Sequence, residues 1–228
     1  MPDKRPTFLA SLSKSAHRLG ARGPGEVLGL ARARIVEAIR SDDVLRFFTR
    51  DTVDTTFPTS DGLTFKRATP EDADRFARDI GTDTASTFRA RLSDRTRCYL
   101  VFEGDTILHS SWVTKAAAWT RELRAYVQPP LGDAYIYESF TRAQARGRGI
   151  YPFALRSIVA DLAGDDTKHA WVAAEADNPA SIKAITKAGF EEAFTIAYRR
   201  RFGRLIIDRA TGPMASMAAR FVTKGPVV

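Results

Sequence analysis

One cysteine and three histidines are all that 228 residues offer of the side chains that make disulfides or soft-metal sites. Cys98 has no second thiol in the chain, and His17, His109 and His169 show no ligand spacing. An internal disulfide framework, a zinc knuckle and a dithiol redox centre are therefore excluded, and no metal is expected. No apolar run approaches the roughly 20 residues that cross a bilayer. The first residues also lack the continuous apolar stretch and small-residue cleavage site of a secretory leader, so a soluble, cytoplasmic protein is expected. What remains is ordinary globular usage, 44% hydrophobic and 27% charged, which rules out disordered and collagen-like chains.

The formal charge of +8 is unevenly spread. The first 50 residues and the last 36 hold the basic surplus, and the middle of the chain is slightly acidic. A nucleic-acid reader keeps its positive stripe on the folded core beside stacking aromatics, so this distribution argues against nucleic acid as a partner. Basic flanks suit an anionic membrane surface, an acidic partner or simple solubility.

Along the chain, Val27, Leu28, Ala31, Ile35 and Ile39 recur at helical spacing with arginines mostly off that face. This predicts a basic amphipathic helix over 26–40, continued by 44–48, which either packs on its own domain or lies peripherally on a membrane. Pro58 and Ser60-Asp61-Gly62 mark a boundary, giving an expected helical extension over 1–58, a main domain over 59–210 and a tail over 211–228. Within the domain we expect a strand at 63–67, helices from Thr69-Pro70 to 80 and over 84–92, and a hairpin of 98–103 with 106–114 around Gly104-Asp105. A strand at 135–141, a helix at 151–163, a strand at 169–175, a helix at 179–188 and a hairpin of 193–201 with 204–208 follow. An antiparallel front half feeding β-α-β-α predicts a mixed, largely antiparallel α/β sheet with flanking helices.

The strongest local feature is Gln144-Ala-Arg146-Gly147-Arg148-Gly149-Ile150, between a strand and a helix that opens at Tyr151-Pro152. Glycines permit a tight turn, and free amides at a helix start can surround a phosphate. The run is neither a dinucleotide fingerprint, since Pro152 replaces the third glycine, nor a Walker loop, since no Lys-Ser/Thr follows. Alone it also reads as an ordinary glycine turn. Some thirty residues on, Asn178 ends a strand and can cap a helix through Ser181, and Gly189-Phe190 stops that helix.

Taken together, Gln144-x-x-Gly147-x-Gly149 and Asn178-x-x-Ser181 through Gly189-Phe190 resemble the two acyl-CoA motifs of the GNAT superfamily of N-acetyltransferases, over about 63–208. The resemblance implies acetyl-CoA as acyl donor, its pyrophosphate on the amides of Arg146, Gly147, Arg148, Gly149, Ile150 and Tyr151. Its pantetheine arm would lie along Phe140, Thr141 and Arg142 in a V between two parting parallel strands. Asn178 and Ser181 would contact the arm or an ordered water. The reaction implied is direct attack of a neutral amine on the thioester in a ternary complex, with Glu138 as the base or, alternatively, a structural carboxylate. Clean alternation would put Tyr135 and Tyr137 on the face opposite Glu138, and a bulge would invert that. Where many relatives carry a tyrosine as general acid, this chain has Ile185.

His109 either reaches the acceptor cleft or is a hydrogen-bonded structural residue, and residues 115–132, with Trp119 and Tyr126, are expected to line the acceptor site. Trp112 is equally a core residue. The acceptor is expected to be a small-molecule or glycan amine, such as an amino sugar or lipid-linked amine. The alternatives are a longer acyl donor or charged tRNA on the same fold, and a non-catalytic acyl-CoA-binding module.

Overall fold

Leu45 and Phe47 flank the polar Arg46, and Phe48 follows, so an extended chain there offers apolar groups to both sides. In the computed structural model, which describes residues 40–53, 56–201 and 204–223, this segment is strand β1 (Arg40–Asp51). The expected continuation of a helix through 44–48 is thus replaced by a strand. Tertiary pairing decides it: β1 runs antiparallel to β8 (His169–Glu175) on one side and to β9 (Glu191–Arg201) on the other. Residues 40–51 therefore belong to the sheet and not to a helical extension; the rest of that expected extension, to residue 39, lies outside the described residues.

The sheet also contains β2 (Leu63–Arg67), β3 (Thr96–Glu103), β4 (Thr106–Thr114), β7 (Ala134–Thr141) and β10 (Arg204–Thr211), in the order β10-β9-β1-β8-β7-β4-β3-β2. Every neighbouring pair is antiparallel except β7 with β8. The mixed, largely antiparallel architecture matches the expectation, and most element limits fall within two residues of those read from the sequence.

Local signals explain the helices. Thr69 N donates to Asp72 Oδ2 at 2.9 Å ahead of α1 (Ala73–Asp79), and Thr84 Oγ1 accepts from Thr87 N at 3.2 Å to cap α2 (Ala85–Arg91). Helices α3 (Ile150–Ala163) and α4 (Pro179–Lys187) cover one sheet face, packing on Phe48, Val113, Ile136 and Val172.

The other face has two covers. Phe76 and Phe88 of α1 and α2 meet Trp112, edge-on, at 6.4 and 5.4 Å. Beyond β7, a small sheet of β5 (Ala118–Thr120), β6 (Ala125–Val127) and β11 (Val222–Thr223) brings in α5 (Ala218–Phe221). Phe221 there lies against Trp171, Phe194 and Phe47 at 4.5, 5.4 and 5.9 Å. The expected tail from 211 accordingly contributes Ala218 and Phe221 to the core, and Phe221 supplies the aromatic lid over β1, β8 and β9.

Phe47 is fully buried and stacks on Phe194 at 4.6 Å. Phe47→Ala is expected to cost about 3–5 kcal/mol, measured by urea unfolding; an unchanged midpoint would contradict β1 as part of the cooperative core.

Candidate functional site

Strands β7 and β8 pair for only three residues, Ala134 with Ala170, Tyr135 with Trp171 and Ile136 with Val172. Past Ile136 the two strands run on without each other. From Tyr137 to Thr141, β7 keeps its antiparallel partner β4 but has no strand on the β8 side. Main-chain groups on that edge need another partner.

The parting coincides with a bulge. Trp112 faces Tyr137 and Ser110 faces Phe140, so Ser111 stands opposite two residues, Glu138 and Ser139. Glu138 takes φ +46°, a left-handed conformation that is costly for a side chain with a Cβ. The extra residue shifts the alternation. Tyr135 and Tyr137 stack at 5.9 Å on the face covered by α1 and α2, and Glu138 reaches to the same side rather than the opposite one. Ser139 turns the other way, its Oγ 2.7 Å from Ser111 Oγ.

On the first face, Arg91 from the last turn of α2 organises the surroundings of Glu138. Its guanidinium lies 3.9 Å from the Trp112 ring centroid, and Nη1 donates to Asp83 Oδ2 at 2.6 Å and to Glu138 Oε2 at 2.8 Å. One oxygen of Glu138 is thus engaged by a largely buried cation. Arg91 and Asp83 escaped the sequence reading, because a basic residue ending a helix reads as a partner of the helix dipole.

At the end of β7, Arg142 N donates to Leu108 O at 2.9 Å and the chain enters a single 3-10 turn, Ala143–Ala145. Gly147 and Gly149 then take φ +78° and +76°, and a Cβ on either would meet no atom within 4 Å. Conformation, not crowding, demands glycine here, and the concave side stays open. The amides of Gly147, Arg148, Gly149, Ile150 and Tyr151 donate to no acceptor among the described residues, and they gather at the start of the 14-residue α3. Arg146 Nε donates to Thr141 O at 3.2 Å, while Arg148 is ion-paired with Glu103. The result is a run of unpaired donors at the positive end of a helix, which suits a phosphate.

Asn178 caps α4, its Oδ1 accepting from Ser181 N at 3.1 Å, at the end of the β8 arm. Ile185 is wholly buried against α3 and Phe190, so the position that the resemblance gives to an acid holds a core side chain. Phe140 leans on the core of the first face. Trp119 and Tyr126 pack edge-on at 5.3 Å within the small sheet, on the same side as Glu138.

His109 is the hydrogen-bonded structural residue of the two expected alternatives. Fully buried, it has Nδ1 2.7 Å from Thr141 Oγ1 and Nε2 2.9 Å from Ser111 Oγ, and its ring stacks on Tyr151 at 5.3 Å. It ties the bulge, the end of β7 and the first turn of α3 together. Burial lowers its pKa from 6.5 to about 3. A histidine depressed in the folded state stabilises fully above its unfolded pKa and loses that contribution as pH falls from about 6.5 toward 3. His109→Gln should therefore flatten the fall in melting temperature between those pH values; an identical slope in both proteins would place the acid sensitivity elsewhere.

No protein-family model matches the sequence, and no curated protein matches it. Among solved structures, the chain is similar to a GCN5-related N-acetyltransferase from Sphaerobacter thermophilus, with TM-score 0.51 and 15% identity over 76% of this chain and 56% of that one. It is also similar to a putative GNAT-family acetyltransferase from Novosphingobium aromaticivorans, with TM-score 0.46 and 16% identity over 71% and 63% of the two chains. A third is an aminoglycoside acetyltransferase from an uncultured soil metagenomic sample, solved with sisomicin, at TM-score 0.45 and 11% identity over 56% and 88%. The chain spans less than two thirds of the length of the first two. On the first of these likenesses, the chain has the fold of the GCN5-related N-acetyltransferases.

Proposed function

We propose that this chain transfers an acyl group, acetyl in the first instance, from acetyl-CoA to a primary amine. The observation that carries the reading is an unpaired stretch of β7 that leads directly into a glycine turn whose amides lack acceptors. A ligand with a long hydrogen-bonding arm ending in a diphosphate satisfies both sets of groups at once. A free phosphate or a nucleotide without the arm would leave the strand edge unused.

In this reading the amides of residues 147–151 hold the pyrophosphate; the Arg146 amide, also expected there, instead donates to Ala143 O at 3.3 Å, and Arg146 adds only side-chain charge nearby. Phe140 and Thr141 line the arm on one side, and Asn178 with Ser181 borders it on the other; the main-chain groups of Arg142, also expected to line it, are already taken by Leu108 O and Ala145 N. Acetyl-CoA supplies an activated thioester carbonyl. The chain's part is to fix that carbonyl beside the bulge, where main-chain donors can meet the charge that grows on its oxygen during attack. With Ile185 buried, solvent supplies the proton to the departing thiolate, an acceptable leaving group in itself.

The acceptor approaches on the face that carries Glu138, Arg91 and Asp83, bounded by α2 and the small sheet. A small-molecule or glycan amine, cationic on arrival, suits that carboxylate-bearing surface. The basic residues over 26–40 add a peripheral contact with anionic membrane to this reading, on sequence grounds alone.

Titration calorimetry tests the donor site. Acetyl-CoA is expected to bind the wild type, and Gly147→Glu, which sets a carboxylate among the amides at φ +78°, is expected to abolish binding without unfolding the protein. A wild type that binds no coenzyme A species overturns the proposal.

A further inference from the structure

The reaction needs a proton acceptor, and two carboxylates stand on the acceptor face of the parted strands. Glu138 lies two residues past the last β7–β8 pair and Glu175 three residues past it, at the end of β8. Opposite Leu45 of β1, and in step with Trp171 and Ala173, Glu175 turns to the same face as Tyr135, Tyr137 and Glu138. The V therefore has one carboxylate on each arm, both toward the acceptor.

Their surroundings differ. Glu138 shares Arg91 with Asp83, an arrangement that fixes the guanidinium over Trp112. Among the described residues the Glu175 carboxylate accepts no hydrogen bond and has no cation within ion-pair distance, while its main-chain oxygen accepts from Asn178 N at 3.0 Å. Building on the acyl-transfer reading, we infer that Glu175, and not Glu138, takes the proton from the attacking amine, while Glu138 is a positioning residue that holds Arg91.

The step balances simply. The amine nitrogen forms a bond to the thioester carbon, its proton passes to a Glu175 oxygen directly or through one water, and the C–S electron pair leaves with the coenzyme A thiolate. A base is most effective with its pKa near the working pH. Burial moves that of Glu175 upward from its ordinary value, and the facing carboxylates Glu122 of the β5–β6 turn, Asp177 of the β8–α4 turn and Asp43 of β1 move it in the same direction, against an opposing effect of Arg121.

The test uses the full chain with acetyl-CoA and two amines, glucosamine, which is largely protonated at neutral pH, and hydroxylamine, which is largely neutral. Thiol release gives the rates and calorimetry gives acetyl-CoA affinity. Glu175→Gln is expected to bind acetyl-CoA as the wild type does, to lose about 10²-fold in kcat with glucosamine at pH 7, and to lose less with hydroxylamine. It should also remove the enzyme's part of the acid limb of kcat/KM and leave only that of amine protonation, whereas Glu138→Gln should weaken turnover less and keep both.

Stability provides a check on folding. A carboxylate whose pKa is raised in the folded state favours folding below its unfolded pKa and loses that contribution as pH rises through the folded value. Glu175→Gln should therefore melt higher than the wild type at pH 8 and no higher at pH 4. Unchanged kcat and pH profile in Glu175→Gln, or a wild type that binds acetyl-CoA yet turns over neither amine, overturns the role of Glu175 and leaves donor binding standing. Failure of the wild type to bind acetyl-CoA overturns the acyl-transfer reading itself.

Discussion

A parallel pair of strands that separates after three residues is an unstable thing to build, because each residue past the fork leaves main-chain groups on the inner edges without partners. This chain secures the fork from outside. Strand β4 grips the free length of β7, and β1 grips β8 along its whole length, so each arm is held by its outer neighbour while its inner edge has no strand beside it past the fork. The bulge at Glu138 and Ser139 bends β7 where the two arms begin to diverge. Donor site, acceptor face and the placement of the two carboxylates all follow from that bend.

Two side-chain assemblies keep the bend in place. On the helix side, His109 links Thr141 and Ser111, and through Ser111 it reaches Ser139, so the bulge is bonded to the strand end that opens the glycine turn. On the other side Arg91 joins α2 to the bulge through Glu138. The positive φ of Glu138 is the cost of this geometry, and the paired assemblies on either face offset it.

Much of this was legible beforehand, and the limits are physical. Thr69, Thr84, Asn178 and the two glycines of the turn announce their elements because caps and left-handed residues are local chemistry, independent of what packs nearby. Strand β1 was not legible, since Val44, Phe47 and Phe48 sit at i, i+3 and i+4 and fit a helix as well as a strand; only β8 and β9 decide between them. Strands β5 and β6 are three residues each, too short to show a period. At the site, the glycine turn and Asn178 stood out, while the side to which Glu138 points depends on one inserted residue, and Glu175 looks like any polar strand end until its neighbours are known.

The place of β1 in the order of strands bears on how the chain reaches this state. As synthesis proceeds, β1 emerges well before either of its partners, β8 and β9, which begin only at His169 and Glu191. Until those partners are made, Leu45, Phe47 and Phe48 lie on a segment with two open edges, a ready template for mispairing with other nascent chains. Closure over such a sequence distance is slow. The yield of correctly folded protein in the cell should accordingly hinge on chaperone shielding of this early segment until β8 and β9 arrive to clasp it.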